Sequence, residues 1–181
     1  MNNQSIIRFG GIAAMVSAVL YVVSLGLSFS TSTAVWGTAL YIASSLAFLV
    51  TLVSLYLDLR ATAATPSLIA LLLLGAMTVW SLFLNPADIS PVFGPLTLVY
   101  GLGFLLFGWV QYGSKHYAKG IGLAALVGGG LAVIAGIALM AGASADLFGL
   151  LNLALSVPYL IWLVWLGRHY LQGKAASLQA A

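Results

Sequence analysis

Long apolar runs, interrupted by short clusters of proline, glycine, small polar and charged residues, set the plan of this chain. Windows able to cross a hydrocarbon core of about 30 Å at 1.5 Å per residue occur near residues 6–28, 36–57, 67–84, 92–112, 121–141 and 147–166. Thr65-Pro66 and Ser90-Pro91 read as helix caps followed by a first-turn proline, and Asn85-Pro86 as a stop. The links are short, which makes successive helices antiparallel neighbours. The pattern predicts an all-α, polytopic membrane protein: a single integral domain over residues 1–181, built as a six-helix bundle. The first run exceeds the apolar core of a signal peptide and no Ala-x-Ala site follows it, so it reads as a retained first span.

Polar positions recur within these runs at helical spacing. In the last one, Asn152, Ser156 and Tyr159 fall on one helical face, and Pro158 leaves a carbonyl that lipid cannot satisfy. This helix therefore belongs in the bundle interior. Similar stripes are Ser17, Tyr21 and Ser24 in the first run, Tyr41, Ser44 and Ser45 in the second, Thr78, Ser81 and Asn85 in the third, and Thr97 and Tyr100 in the fourth. Most lie towards the same membrane face. Ser24, Tyr41, Ser45, Ser81, Asn85, Tyr100, Asn152, Ser156 and Tyr159 form the candidate ligand-facing set, in a neutral polar cavity in the outer half. The plainer reading is that small hydroxylated residues bond to their own helix and let helices pack closely.

An internal repeat is also visible. A shift of about 111 residues lays Gly11-Ile-Ala-Ala-Met-Val on Gly122-Leu-Ala-Ala-Leu-Val and Leu40-Tyr-Ile-Ala-Ser-Ser on Leu151-Asn-Leu-Ala-Leu-Ser. About half that shift brings Leu46-Ala-Phe-Leu onto Leu102-Gly-Phe-Leu. Three helical hairpins with pseudo-threefold symmetry would produce such offsets.

Composition sharpens the membrane reading. The chain is 62% hydrophobic and 5% charged, against about 25% charged residues in soluble domains. Its formal net charge of +3 is no nucleic-acid signature, because the basic residues are scattered between apolar runs. Arg8, Arg60, Lys115, Lys119, Arg168 and Lys174 all fall on one side of a six-span layout, and Asp88 and Asp146 on the other. The positive-inside rule then places both termini in the cytoplasm. Trp109, Trp162, Trp165, Tyr56, Tyr112 and Tyr170 are expected at the inner interface, and Trp36 and Trp80 towards the outer one.

Candidate chemistry is sparse. Cysteine is absent, which excludes disulfides and thiolate metal sites, and glutamate is absent too. No ionisable residue falls well inside a predicted span, which argues against a proton pathway. Asp58 and Arg60 are expected to anchor the second span at the interface, and His116 and His169 to be solvated there. No metal site, cofactor or catalytic set is expected. The run Gly128-Gly129-Gly130 with Gly136 predicts close helix packing, with a docking face or a hinge as alternatives.

The segment Arg8-Phe-Gly-Gly-Ile-Ala-Ala-Met-Val-Ser-Ala-Val-Leu-Tyr, with a second run ending Leu55-Tyr-Leu-Asp-Leu-Arg60, resembles small uncharacterised bacterial six-helix membrane proteins grouped as domains of unknown function. The resemblance spans the first two helices and implies the bacterial inner membrane; it carries no functional residues. The function expected is non-enzymatic: binding or passage of a small neutral or amphipathic molecule such as a lipid, a quinone or an uncharged solute. The alternative is a structural or accessory subunit, as a homo-oligomer or within a larger membrane complex. The expected partner in either case is the lipid bilayer and not nucleic acid.

Overall fold

The computed structural model describes residues 3–28, 33–84 and 92–173. Five helices account for nearly all of them: α1 (Asn3–Ser28), α2 (Ala34–Ser81), α3 (Phe93–Gly113), α4 (Lys119–Met140) and α5 (Ala145–Leu171). No strand occurs among the described residues. All five are long and apolar enough to span a membrane. The protein is therefore an all-helical, multi-pass membrane protein.

Two of the expected spans run into one element. The link around Ala61-Thr-Ala-Ala has no separate loop; it is broken within the element, at Ala63. Pro66 cannot donate to Thr62 and its ring crowds that carbonyl, so the backbone gives way nearby, at Ala63 (φ −150°, ψ 58°). Pro66 then sits in the first turn of the second arm, where its missing N–H costs nothing. Ser67 Oγ donates to the carbonyl of Ala63. The arms double back on each other: Tyr41 Oη lies 3.1 Å from Ser81 Oγ, whereas a straight helix would hold residues so far apart in sequence about 60 Å from each other.

The helices close into a ring, with α1 on α2, α2 on α3, α3 on α4, α4 on α5, and α5 back on α1. Lipid offers no hydrophobic drive for this, so close backbone approach must supply it. The α3–α4 contact is made by glycines seven residues apart on both helices, pairing Gly94 with Gly136, Gly101 with Gly129 and Gly108 with Gly122 in antiparallel register. A Cβ on Gly101 would lie 2.7 Å from the Gly129 carbonyl oxygen, and one on Gly129 2.8 Å from that of Gly101. Gly11 and Gly167 bring α1 and α5 together similarly: a Cβ on Gly167 would stand 2.9 Å from the Gly11 carbonyl oxygen. The glycines at 122, 129 and 136 thus serve packing inside the fold.

Ser144 caps α5, accepting from the Leu147 N–H, and the helix runs through Pro158 without ending. Gly128 of α4 faces that proline. The ring has two unlike ends. At one, α1 and the second arm of α2 finish and α3 and α5 begin; at the other lie Ala63 and the 114–118 loop. The second end carries exposed Arg8, Arg60, Lys115, Lys119 and Arg168. Trp36 and Trp80 are exposed at the first end, and Trp109, Trp165 and Tyr112 towards the second. Trp162 and Tyr170, expected in the interfacial belt, are instead fully buried. Each has found a polar partner inside the bundle: Trp162 donates to Gln111, and Tyr170 bonds Tyr117.

Candidate ligand-binding chamber

At the end remote from the basic residues the ring leaves a cavity of about 390 Å³. All five helices contribute to its wall. Of the nine candidate residues, Ser24, Tyr41, Ser45, Ser81, Tyr100, Asn152 and Tyr159 line it. Ser156 does not: it is buried behind the wall, where its hydroxyl lies 2.9 Å from Tyr21 Oη and donates to the Asn152 carbonyl at 2.8 Å. It positions a wall residue instead of meeting the lumen. Asn85 lies outside the described residues.

The polar groups of the wall fall into two sets. Most are spent on the fold. Ser24 donates to the Tyr21 carbonyl, Thr78 to that of Leu74 and Ser81 to that of Thr78, the local bonding that small hydroxylated residues make in apolar helices. Ser17 and Ser44 each donate to the other's carbonyl, at 3.0 and 2.9 Å, clamping α1 to α2. The Asn152 amide donates to the Phe148 carbonyl at 2.9 Å. Among the described residues, the hydroxyls of Ser45 and Thr97 and the side-chain oxygen of Asn152 have no partner, and all three residues border the cavity.

Aromatic rings form the inward limit of the chamber. Phe48 of α2, Phe104 of α3 and Tyr159 of α5 touch one another, with centroids 6.1 Å apart for Phe48–Phe104, 5.6 Å for Phe48–Tyr159 and 5.8 Å for Phe104–Tyr159. The last two pairs are edge-to-face, a favoured geometry for ring quadrupoles. Trp162 backs the group, with its centroid 5.1 Å from that of Phe104. The pocket behind Tyr100 and Tyr159 holds about 10 Å³, barely one water's worth. The chamber is therefore blind at its inner end. The sequence stripes had not marked Phe48 or Phe104, although Phe48 follows Tyr41 and Ser44 at the seven- and four-residue steps of one helical face.

Below this floor lies a second polar constellation. Asp58, expected at the interface, is fully buried in α2. It accepts a hydrogen bond from Tyr117 of the 114–118 loop, and Tyr117 Oη lies 3.0 Å from Tyr170 Oη of α5. His169, expected in solvent, is buried as well, its ring stacked on Tyr117 at 4.7 Å. Both corrections have one cause: α5 continues to Leu171, which carries His169 and Tyr170 inward to meet the loop. Burial, followed by the neighbouring Tyr170 and Asp58, holds the Tyr117 phenol well above its ordinary value. A little further in, Gln111 accepts from Trp162 Nε1 at 2.9 Å. No cluster of three or more metal-ligating His, Cys, Asp or Glu side chains exists among the described residues.

No family model, no curated protein and no solved structure matches this chain.

Proposed function

We propose that the protein is a non-enzymatic, six-crossing membrane protein whose chamber binds a small uncharged or amphipathic molecule. The observation that carries this reading is a polar-lined space inside an apolar ring: Ser45, Thr97 and Asn152 each bring an unbonded polar atom to the cavity, while Gln111 Nε2, buried without a partner, lies outside it. A polar group left unbonded in such a setting costs about 1–3 kcal/mol, and a bound molecule removes that cost. Among the described residues the lining contains no Asp, Lys, Arg or His, which favours an uncharged ligand.

Each arm of α2 is taken to cross once, giving six crossings and a pseudo-threefold ring. The offsets of about 56 and 111 residues support this, since they carry Phe48 to Phe104 and Tyr159, the three mutually touching rings. The same offsets carry Tyr41 to Thr97 and Asn152, and Tyr21 to Met77 and Ala132, all of which line the cavity. The basic end is assigned to the cytoplasm, with both termini there, in the plasma membrane (inner membrane) of a bacterium, and the chamber opens to the opposite face. The aromatic floor favours binding over passage. The accessory-subunit reading draws less support, because Gly129 and Gly136 are occupied by α3 and Gly128 faces Pro158 of α5, which leaves Gly130 alone of that set open.

Mass spectrometry of the intact protein in mild detergent tests the proposal. The wild type should retain a small non-covalent molecule, and Asn152→Leu and Tyr159→Phe should each lower its occupancy several-fold with assembly unchanged. Unchanged retention in both variants would overturn it.

A further inference from the structure

The dimensions and chemistry of the chamber narrow the ligand further, granted that the chamber binds one at all. The wall has two tiers. Tyr41, Thr97 and Asn152 form the polar tier, and each precedes by seven residues a member of the aromatic tier: Phe48 and Tyr159, which line the chamber, and Phe104, which packs against both from behind. Seven helical residues rise about 10 Å. That is the long dimension of two fused six-membered rings with their substituents.

Each tier constrains one end of the occupant. The Phe48 and Tyr159 rings present edges and faces that gain most from another flat ring, at about 0.5–1.5 kcal/mol per pair beyond simple burial. The Tyr41 hydroxyl and the Asn152 amide donate within the fold, which leaves the Thr97 hydroxyl, with Ser45 one turn below Tyr41, to donate to a carbonyl oxygen and the Asn152 oxygen to accept from a phenol. A cation would also find aromatic rings attractive. Without a carboxylate among the described lining residues, however, its desolvation would go uncompensated. The volume of about 390 Å³ is near the lower end of the range that takes drug-sized ligands. We infer that the chamber takes an uncharged, planar, conjugated ring system of one or two rings bearing oxygen functions, of the quinone or phenol class, with its ring edge on Phe48 and Tyr159, its oxygens accepting from the Ser45 and Thr97 hydroxyls, and any phenolic hydroxyl donating to the Asn152 side-chain oxygen.

Three probes of similar outline separate this from its rivals in calorimetric titrations of the full chain at fixed detergent concentration. These are 1,4-naphthoquinone, its saturated counterpart decahydronaphthalene-1,4-dione, and the cation N-methylquinolinium. The naphthoquinone should bind about tenfold more tightly than the saturated dione, and the cation should not bind measurably. Thr97→Val should weaken naphthoquinone several-fold with an unchanged melting temperature. Ser45→Trp and Thr97→Trp, each filling the lumen, should abolish binding; two positions guard against one variant failing to fold. Equal binding of the saturated dione, tighter binding of the cation, or no binding of naphthoquinone would overturn the ring assignment. If the lumen-filling variants still abolished binding of whichever probe bound, the chamber reading would stand without it. Naphthoquinone binding that survived both folded tryptophan variants would overturn the two together. A further comparison of 2-methyl-1,4-naphthoquinone with its phytyl-bearing form, either of which binding sustains the assignment, tells whether the ring arrives from water or from the bilayer.

Discussion

The two ends of this ring are built from the same helices and use polar residues to different effect. In the chamber the described polar groups of the lining are neutral, many are bonded to their own helix, and a cavity of about 390 Å³ remains. At the basic end Leu55, Leu59, Leu166 and Tyr170 are fully buried, and the polar groups reach across elements, Tyr117 joining Asp58 of α2 to Tyr170 of α5. Bonds between elements occur at both ends: Ser17–Ser44, Tyr21–Ser156 and Tyr41–Ser81 join neighbours around the chamber wall, whereas Tyr117 ties Asp58 and Tyr170 together beneath the aromatic rings. Polarity in a membrane helix therefore says little about a site until its partners are known.

That contrast can be broken from either side. The largest effect is expected for Gly108→Leu, since a Cβ there would already lie 2.8 Å from the Leu126 backbone nitrogen. Prising α3 from α4 should cost about 3 kcal/mol or more, read as loss of a monodisperse folded species. Asp58→Ala comes next. It strips the Tyr117 hydroxyl of its buried acceptor and should destabilise by about 2–3 kcal/mol, measured by thermal or denaturant unfolding in detergent.

A smaller effect should appear at alkaline pH. The Tyr117 phenol is raised in the folded state, so its contribution is fully present below the unfolded value of about 10 and is lost as pH rises from there towards the folded value. Stability should fall above about pH 10, and Tyr117→Phe should flatten that alkaline limb while leaving neutral pH without slope from this group. The smallest stability change belongs to the chamber: Thr97→Val should shift unfolding by less than about 0.5 kcal/mol, because its hydroxyl bonds nothing in the fold. A shift as large as that of Asp58→Ala would erase the distinction between the two ends.

Much of this architecture is legible in the residues, for identifiable reasons. Apolar run length reveals membrane helices directly, and the steps between Asn152, Ser156 and Tyr159 identify an inward face whatever the ring's exact closure. The place of the break between the second and third expected spans is legible from Thr65-Pro66, but its form is not: the two arms meet at the single non-helical residue Ala63 without a separate loop. Nor is the role of Ser156, since a stripe fixes a face but not which of its members meets a neighbour and which meets the lumen. The glycine pairing of α3 with α4 is half visible: Gly129 and Gly136 announce close packing, but Gly122 and the partners at 94, 101 and 108 emerge only when the register is known. Burial of Asp58 and His169 depends on where α5 stops, and Gly167 reads as a stop although the helix runs through it to Leu171.

The central claim is that one end of the ring is an accessible chamber and the other is closed. The chain has no cysteine, so single substitutions report accessibility without background. The most direct measurement is the rate at which a small uncharged maleimide modifies Thr97→Cys and Leu55→Cys in the folded, detergent-solubilised protein. The account predicts ready modification of Thr97→Cys, and of Leu55→Cys only after denaturation. Equal rates, or a faster reaction at position 55, would contradict it.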